Sequence, residues 1–211
     1  TPGSFARGES FQSDGEGVHG SNGMASALCG LQAAEEAGDP AQAQRAIDRM
    51  LLLYALAMAM PGIPMLYMGD ELALGNDTTW RADPLRRGEG RWLHRPPMDW
   101  DLLAQAQADA GTPHGRALAG LRALIATRKR LPALASTQPL DTVDTGDARV
   151  LAVRRGADFL AVGNFSDADC TLRLDVLSDG AWTLVAGGQA RHADTAVHLG
   201  PWGFAWLSRP V

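Results

Sequence analysis

The stretch MPGIPMLYMGDE, from Met60 to Glu71, decides the fold prediction. Its centre, residues 64–68, is a short apolar run between Pro-Gly and Gly-Asp, which is typical of a strand buried on both faces of a parallel sheet. An apolar helical pattern precedes the stretch and a long polar loop follows it, so the order is that of an α/β unit. In barrels built from such units, chemistry lies in the loops that leave the carboxyl ends of the strands. We therefore expect a functional loop from Gly69 onward.

The segments before this stretch predict a loop and two helices. Residues 1–20 are rich in Gly, Ser, Asp and Glu and show little periodicity, which favours a loop. A helix that follows should stop at Gly38, and Asp39-Pro40 should start a second helix that runs to about Met60. The second helix is apolar nearly all round in its C-terminal half, so we expect protein to cover it on most sides.

The segments after the stretch change character twice. Residues 72–111 are a long connection rich in Trp, Pro and charge, which indicates a binding loop with short helical turns. An amphipathic helix is predicted over residues 114–130. From about Ala133 the period becomes that of strands, with turn residues between short apolar runs. This pattern predicts an antiparallel β-sandwich, with a domain boundary near residues 131–135.

Composition narrows the class of partner. The 211 residues carry a net charge of -5, which argues against nucleic acid because phosphate binding needs a clustered basic surplus. Cys29 and Cys170 have no metal-type spacing, so we expect free buried thiols and no metal or other cofactor. The apolar stretch of residues 50–68 is broken by Pro61-Gly62 and Pro64, so a membrane partner is not expected either. The compartment of the protein is not fixed by these features.

Two segments resemble a known family, the α-amylase family of glycoside hydrolases. Residues 61–71 resemble its last barrel strand and the loop that follows, and residues 121–134 resemble its last barrel helix and the exit into a C-terminal β domain. Narrower matches point to the amylosucrase and sucrose hydrolase group. They are GSFARG at residues 3–8 with Phe11-Gln12, Asn76-Asp77 with Trp80, RWLHRP at residues 91–96, and GNFS at residues 163–166.

The resemblance implies that this chain is the C-terminal portion of a longer enzyme. Residues 1–132 would be the end of a (β/α)8 TIM barrel, from the end of loop 7 through helix 7, strand 8, loop 8 and helix 8. Residues 133–211 would be the antiparallel β-sandwich C-terminal domain. Family members cleave sucrose or α-glucans with retention, using two carboxylates and a third acid. Those acids would lie in the missing N-terminal part, so no catalytic residue is expected here, and the chain alone should be inactive.

Four residues are candidates for the site. Adjacent carboxylates at a strand end point in different directions, so Asp70 and Glu71 are predicted to structure the loop and not to cleave a sugar bond. By resemblance, Arg91 would close the sucrose pocket by pairing with an acid from an earlier part of the barrel. Gln12 would lie near the fructosyl or acceptor sugar, and its amide can both donate to and accept from hydroxyls.

Other functions stay open at this point. HGSNG at residues 19–23 departs from the amylosucrase pattern, in which an arginine faces the acceptor, so hydrolysis or isomer formation competes with polymer synthesis. A second possible function is that of an α-glucosidase or a trehalose synthase, but the run from Arg91 to Pro96 argues against it. A non-catalytic carbohydrate-binding β module is a third. It would need a row of exposed aromatic residues, whereas Trp182, Trp202 and Trp206 follow an apolar alternation that predicts core positions.

Overall fold

A computed structural model shows two compact units. It describes residues 3–14, 17–135, 137–178 and 180–209. The first unit comprises Thr1–Met50 and Leu66–Ala119, and the second comprises Leu51–Met65 and Gly120–Val211. The predicted domains, 1–132 and 133–211, stay a prediction, because the compact units record only which segments of this chain pack together.

The first unit begins with a β-hairpin where a loop was expected. Strand β1 (Glu9–Asp14) pairs antiparallel with β2 (Gly17–Asn22), from Glu9 opposite Asn22 to Asp14 opposite Gly17. The loop prediction is therefore wrong for residues 9–14 and 17–20, whereas residues 3–8 have no helix or strand, as predicted. Both strands have few apolar side chains. Their sequences therefore lack the hydrophobic alternation from which strands are predicted.

Three helices follow the hairpin. They are α1 (Ala25–Cys29), α2 (Leu31–Ala37) and α3 (Pro40–Ala59). Gly38 ends α2 with a left-handed φ of 63°, and the Asp39 carboxylate accepts hydrogen bonds from the backbone N–H groups of Ala41 and Gln42, each at 3.0 Å. Both boundaries were predicted and are confirmed, because glycine stops and aspartate caps act through local geometry.

The segment after α3 is not a strand in this chain. Residues 63–67 have no regular secondary structure, and Ile63 and Met65 are 90% and 84% exposed. The predicted buried strand is therefore wrong for the chain as it stands. A parallel strand needs a hydrogen-bonded neighbour, and within the described residues no strand pairs with this segment.

The long connection folds into short helical pieces, as predicted. Three 3₁₀ turns (Asp70–Leu72, Trp80–Ala82 and Gly90–His94) precede α4 (Trp100–Ala108), α5 (Pro113–Arg130) and α6 (Pro132–Ala135). Leu72 and Leu74 pack with Met24, Ala106 and Leu118 in the core of the first unit. Of the helices that the structure describes, none is long and apolar enough to cross a membrane.

The second unit is built on one antiparallel sheet. Its strands are β3 (Leu140–Val143), β4 (Val150–Arg155), β5 (Phe159–Asn164), β6 (Cys170–Arg173), β7 (Thr183–Ala193) and β8 (Ala196–Ser208). The order is β3-β4-β5-β8-β6, and β7 also pairs with β8. The prediction of antiparallel strands is confirmed, but they form one hydrogen-bonded sheet where a sandwich of two was expected. The long strand β8 joins what would be separate sheets, because it pairs with β5 at one end and β6 at the other.

Side chains from all parts of this sheet share one core. Leu160, Val162, Leu172, Val197 and Leu207 belong to it, all at most 4% exposed. Trp182 and Trp206 are 5% and 0% exposed, so the prediction that they are core residues is confirmed, whereas Trp202 is only partly buried. Cys29 in the first unit and Cys170 in the second are both buried and free, which confirms the cysteine prediction. Burial raises the pKa of the Cys29 thiol to about 11, which keeps it protonated.

The last turns of α3 belong to the second unit, and side chains of that unit donate hydrogen bonds to their carbonyl groups. The Arg155 guanidinium is fully buried and donates to the carbonyl of Ala59 at 3.1 Å, and the indole N–H of Trp206 donates to the carbonyl of Ala55 at 3.2 Å. Arg128 donates to the carbonyls of Met58 and Gly62. Two cations thus satisfy the last carbonyls of the helix, where its dipole is negative.

Candidate functional site

A cavity of about 310 Å³ lies in the first unit, beside the loop that the sequence marked as functional. Tyr67 and Asp70 reach it from the segment after α3, and His94 from the third 3₁₀ turn. Asn22 and Met24 line it from the junction of β2 and α1. Three segments distant in sequence therefore meet at one small, open site.

Asn22 and His94 form the polar side of the cavity. Asn22 is 5% exposed, its side-chain N–H donates to the carbonyl of Gly90 at 2.5 Å, and its Oδ1 contacts Nδ1 of His94. Burial lowers the pKa of His94, with further lowering from the positive charges of Arg95 and Arg91. The ring is therefore neutral at pH 7. With Nδ1–H donating to Asn22, Nε2 is left as a hydrogen-bond acceptor.

Tyr67 supplies an aromatic wall. Its ring meets that of His94 edge to face, with ring centroids 5.5 Å apart. Tyr67 as a residue is 44% exposed and lines the cavity. An exposed ring beside neutral hydrogen-bonding groups suits a ligand with both apolar faces and hydroxyl edges.

Asp70 and Glu71 occupy a tight turn beside the cavity. Asp70 is 4% exposed and lines the cavity, while the Glu71 carboxylate accepts a hydrogen bond from the N–H of Gly69 at 2.8 Å. Gly69 and Ala73 flank the turn with left-handed φ angles of 93° and 50°. Such a conformation is costly for alanine, so surrounding contacts must hold it. A loop-structuring role for both acids stays a prediction to which this geometry adds support.

Asn76 and Asp77 fix the next part of the loop. The Asn76 side chain accepts from the N–H of Met24 and donates to the carbonyl of Arg7, each at 2.8 Å. Asp77 is 7% exposed and accepts from the N–H and hydroxyl of Thr79, at 2.9 and 2.6 Å. Asn76 thus positions Met24 in the cavity wall without lining the cavity itself, and Asp77 fixes the loop at Thr79.

The structure does not bring Arg91 into the cavity lining. The Arg91 side chain is 52% exposed and pairs with the Glu89 carboxylate, and that hydrogen bond lowers the pKa of Glu89 to about 2. The same contact raises the pKa of Arg91. The backbone of Gln12 lies in β1, and its side chain lies outside the described part of the chain. Both substrate-binding roles stay predictions.

Asn22, Tyr67 and His94 were missed as site residues. Each lay inside a segment that had been singled out, but nothing in one sequence shows which side chains of a segment share a cavity. Trp80 and Trp100, two tryptophans of the long connection, are 5% and 70% exposed, and neither lines the cavity. Within the described ranges, no group of three or more His, Cys, Asp or Glu side chains could hold a metal ion.

Comparison with known proteins decides the family resemblance. Residues 156–208, from the β4–β5 turn to the end of β8, match the family described as "Sucrose hydrolase-like, C-terminal domain". The resemblance to the sucrose-active group is confirmed. The match covers residues 156–208 alone, and the solved structures below are similar to this chain in fold.

Several solved structures share the fold. A trehalulose synthase mutant in complex with Tris is 19% identical, covering 78% of this chain and 38% of its own, with a TM-score of 0.60. A type III pullulan hydrolase from Thermococcus kodakarensis is 27% identical over 78% of this chain and 24% of its own, with a TM-score of 0.57. An isomaltulose synthase mutant from Erwinia rhapontici is 17% identical over 85% and 41%, with a TM-score of 0.55. The chain spans about two fifths or less of the length of these proteins.

Proposed function

We propose that the chain is the C-terminal part of an α-amylase-family enzyme that acts on sucrose with retention of configuration. The enzyme either transfers the glucosyl unit to a glucan, as an amylosucrase does, or hydrolyses or isomerises sucrose. The observation that carries the proposal is the match of residues 156–208 to a sucrose hydrolase-like C-terminal domain. The longer protein is called the parent below.

The cavity supports a role in binding sugar and not in breaking its bond. Its groups include the neutral ring of His94, the amide of Asn22 and the half-exposed ring of Tyr67. A neutral acceptor and an amide suit hydroxyl groups, which donate and accept hydrogen bonds. Asp70 alone cannot provide the pair of carboxylates, about 5 Å apart, that a retaining glycosidase needs. The cleaving groups would therefore come from the missing N-terminal part, and the chain alone would be inactive.

Arg91 has a specific role in this proposal. The arginine now pairs with Glu89 at the surface, and in the parent it would turn to an acid of the barrel and close the sucrose pocket. Arg91→Ala in the parent should lower kcat/KM for sucrose roughly hundredfold or more, because a buried acid would lose its partner. Arg91→Lys should restore little of this activity, because an ammonium group cannot form the two parallel hydrogen bonds that a guanidinium makes with a carboxylate. Arg87→Ala, an exposed arginine of the same loop, is the matched control and should keep parental kinetics.

The reaction is tested by product analysis of the parent with sucrose. Fructose together with insoluble or soluble glucan indicates transglucosylation, equal glucose and fructose indicate hydrolysis, and reducing disaccharides indicate isomer formation. Any of these supports action on sucrose. Turnover of maltose without turnover of sucrose would contradict the proposal and favour an α-glucosidase or a trehalose synthase.

A non-catalytic carbohydrate-binding module that relies on stacked aromatic residues is not favoured. Trp182 and Trp206 are buried in the core of the second unit, so neither ring can stack on a sugar. The polar surface of that unit offers charged and hydrogen-bonding side chains instead of aromatic rings.

A further inference from the structure

Three strands of the second unit present one row of polar side chains. Strand β8 lies between β6 and β7 here, with His198 opposite Thr171 on one side and Arg191 on the other. In the neighbouring row, Leu172 and Val197 are buried in the core. Because side chains alternate between the faces of a sheet, Thr171, His198 and Arg191 share the face that is turned away from the core.

A second polar row lies two residues away on the same face. Asp169, Gly200 and Gln189 take these positions, and with the first row they surround a hollow of about 580 Å³. Gly200 keeps the middle of the hollow open. A Cβ at that position would lie 3.1 Å from the Cβ of Gln189, so a side chain would narrow the floor.

The backbone beside the hollow is strained. Gln189 has a left-handed φ of 53° and sits where the register of β7 and β8 shifts between Gly188 and Ala190. Non-glycine residues in this conformation, and bulges that redirect a side chain, concentrate at functional positions. Here the bulge places an amide on the rim of the hollow.

The chemistry of the lining is polar and of balanced charge. Asp169 only accepts hydrogen bonds, Arg191 only donates them, and the Gln189 amide does both. The Thr171 hydroxyl and Nδ1 of His198 are 2.9 Å apart, which orients the imidazole ring. A ligand for this lining must carry many donors and acceptors and no strong net charge.

The size of the hollow distinguishes between the candidate ligands. Asp169 and Arg191 lie at opposite corners, two strands apart and one row apart, so their Cα atoms are about 12 Å apart. A free amino acid is much smaller than the hollow of about 580 Å³, so it would leave most of the lining groups without a partner. An inorganic phosphate would meet one arginine and an opposing carboxylate. A chain of sugar rings can cross the whole hollow and present hydroxyls to every lining group.

We propose that this face, formed by Asp169, Thr171, Gln189, Arg191 and His198, is a binding site for a neutral oligosaccharide. The site needs no aromatic platform and performs no bond cleavage. It is independent of the sucrose reaction, because all its residues belong to the second unit and none lines the cavity of the first. A site of this kind would hold a polymeric substrate or product on the protein while another region acts on it.

Calorimetric titration of the 211-residue chain tests the site, with maltoheptaose and cellopentaose as neutral probes and inorganic phosphate as the anionic one. We expect at least one oligosaccharide to bind, with affinity lowered about tenfold by Arg191→Ala, the loss of one charge-assisted hydrogen bond. Arg173, on β6, lies on the same face of the sheet but does not line the hollow. Arg173→Ala also removes one positive charge, and this variant should bind the oligosaccharide as tightly as the unsubstituted chain does.

A second variant keeps the test decisive if Arg191→Ala fails to fold. Thr171→Val keeps the shape of the side chain and removes the hydrogen bond to His198, so it should also weaken binding. In a nitrogen-15 correlation spectrum, the amide signals of residues 169–171 and 198–200 should move on titration. The proposal is overturned if neither oligosaccharide binds, if Arg191→Ala and Arg173→Ala behave alike, or if phosphate alone binds.

Discussion

His114 is the residue of the first unit with the most informative electrostatics. Its Nδ1 lies 2.8 Å from the carbonyl of Leu72 and its Nε2 lies 3.1 Å from the Glu35 carboxylate. Both contacts require a proton on the nitrogen, so the protonated ring is favoured. The pKa of His114 is raised, chiefly by the hydrogen bond to Glu35, against the opposing effect of burial.

A pH-dependent stability follows from this raised pKa. A group with a higher pKa in the folded state than in the unfolded chain adds stability that is complete below the unfolded value, near 6.5, and is lost as pH rises through the folded value. The free energy of unfolding of the chain should therefore fall between pH 6 and pH 8 by more than that of His114→Gln. Urea unfolding at several pH values measures both. Parallel pH curves for the two proteins would show that His114 does not contribute.

At the residue scale, the sequence could indicate segments but not roles. Asn76 and Asp77 were found by resemblance, yet only the structure shows that Asn76 bridges Met24 and Arg7. Asn22 and His94 are 72 positions apart and were not connected. Their contact depends on the pairing of β2 and on the path of a long loop. Neither feature produces a periodic pattern of apolar residues from which the contact could be predicted.

At the scale of elements, the carboxyl end of α3 offers a clean test of buried charge. Arg155 donates to the carbonyls of Ala59 and Gln138, at 3.1 Å each. Arg155→Met should lower the free energy of unfolding by about 3 kcal/mol, because hydrogen bonds from a charged donor are lost and buried carbonyls lose their partner. Chemical denaturation followed by circular dichroism measures the change.

The neighbouring arginine is the matched control for that change. Arg154 lies next to Arg155 on β4, has a 40% exposed side chain and pairs with Asp141 at a long 3.4 Å. Arg154→Met should cost no more than about 1 kcal/mol, as is usual for a surface pair. Equal losses in the two variants would show that the helix end does not depend on Arg155.

The exposed segment after α3 behaves differently in the chain and in the proposed parent. Ile63 is 90% exposed, so Ile63→Ser should change the stability of the chain by less than about 0.5 kcal/mol. In the parent the segment would be a paired and buried barrel strand, where the same change should cost about 2 to 5 kcal/mol. Denaturation of both proteins measures the difference.

Leu52 provides the comparison for Ile63. It is 1% exposed in the second unit, so Leu52→Ala should cost about 2 to 5 kcal/mol in the chain and in the parent alike. If Ile63→Ser is as mild in the parent as in the chain, the segment that resembles the last barrel strand, residues 61–71, does not bury Ile63 there.

Elements with strong local signals were predictable. Gly38, Asp39 and the apolar period of α3 and α5 mark helices through local geometry, and alternation marks most strands of the second unit. The apolar run at residues 64–68 predicts burial but cannot supply the partner that a parallel strand needs. The single sheet was missed because bulges let β7 and β8 run on where turns were expected.

At the scale of the whole molecule, the proposed function divides the work between this chain and the rest of the parent. In that proposal the chain would hold a sugar-binding loop beside a β unit that matches a sucrose hydrolase-like C-terminal domain, and the groups that cleave the glucosidic bond would come from elsewhere in the parent. An apolar segment left open at residues 63–68 fits this division, because a barrel strand is covered only when its neighbours are present.

Release of glucose and fructose from sucrose measures this claim most directly. The purified chain, the N-terminal remainder of the parent and a mixture of the two are each incubated with sucrose. We expect no release above buffer from the chain alone, and turnover by the intact parent or by a mixture that assembles. Glucose release by the chain alone, abolished by Asp70→Asn or Glu71→Gln, would contradict the account.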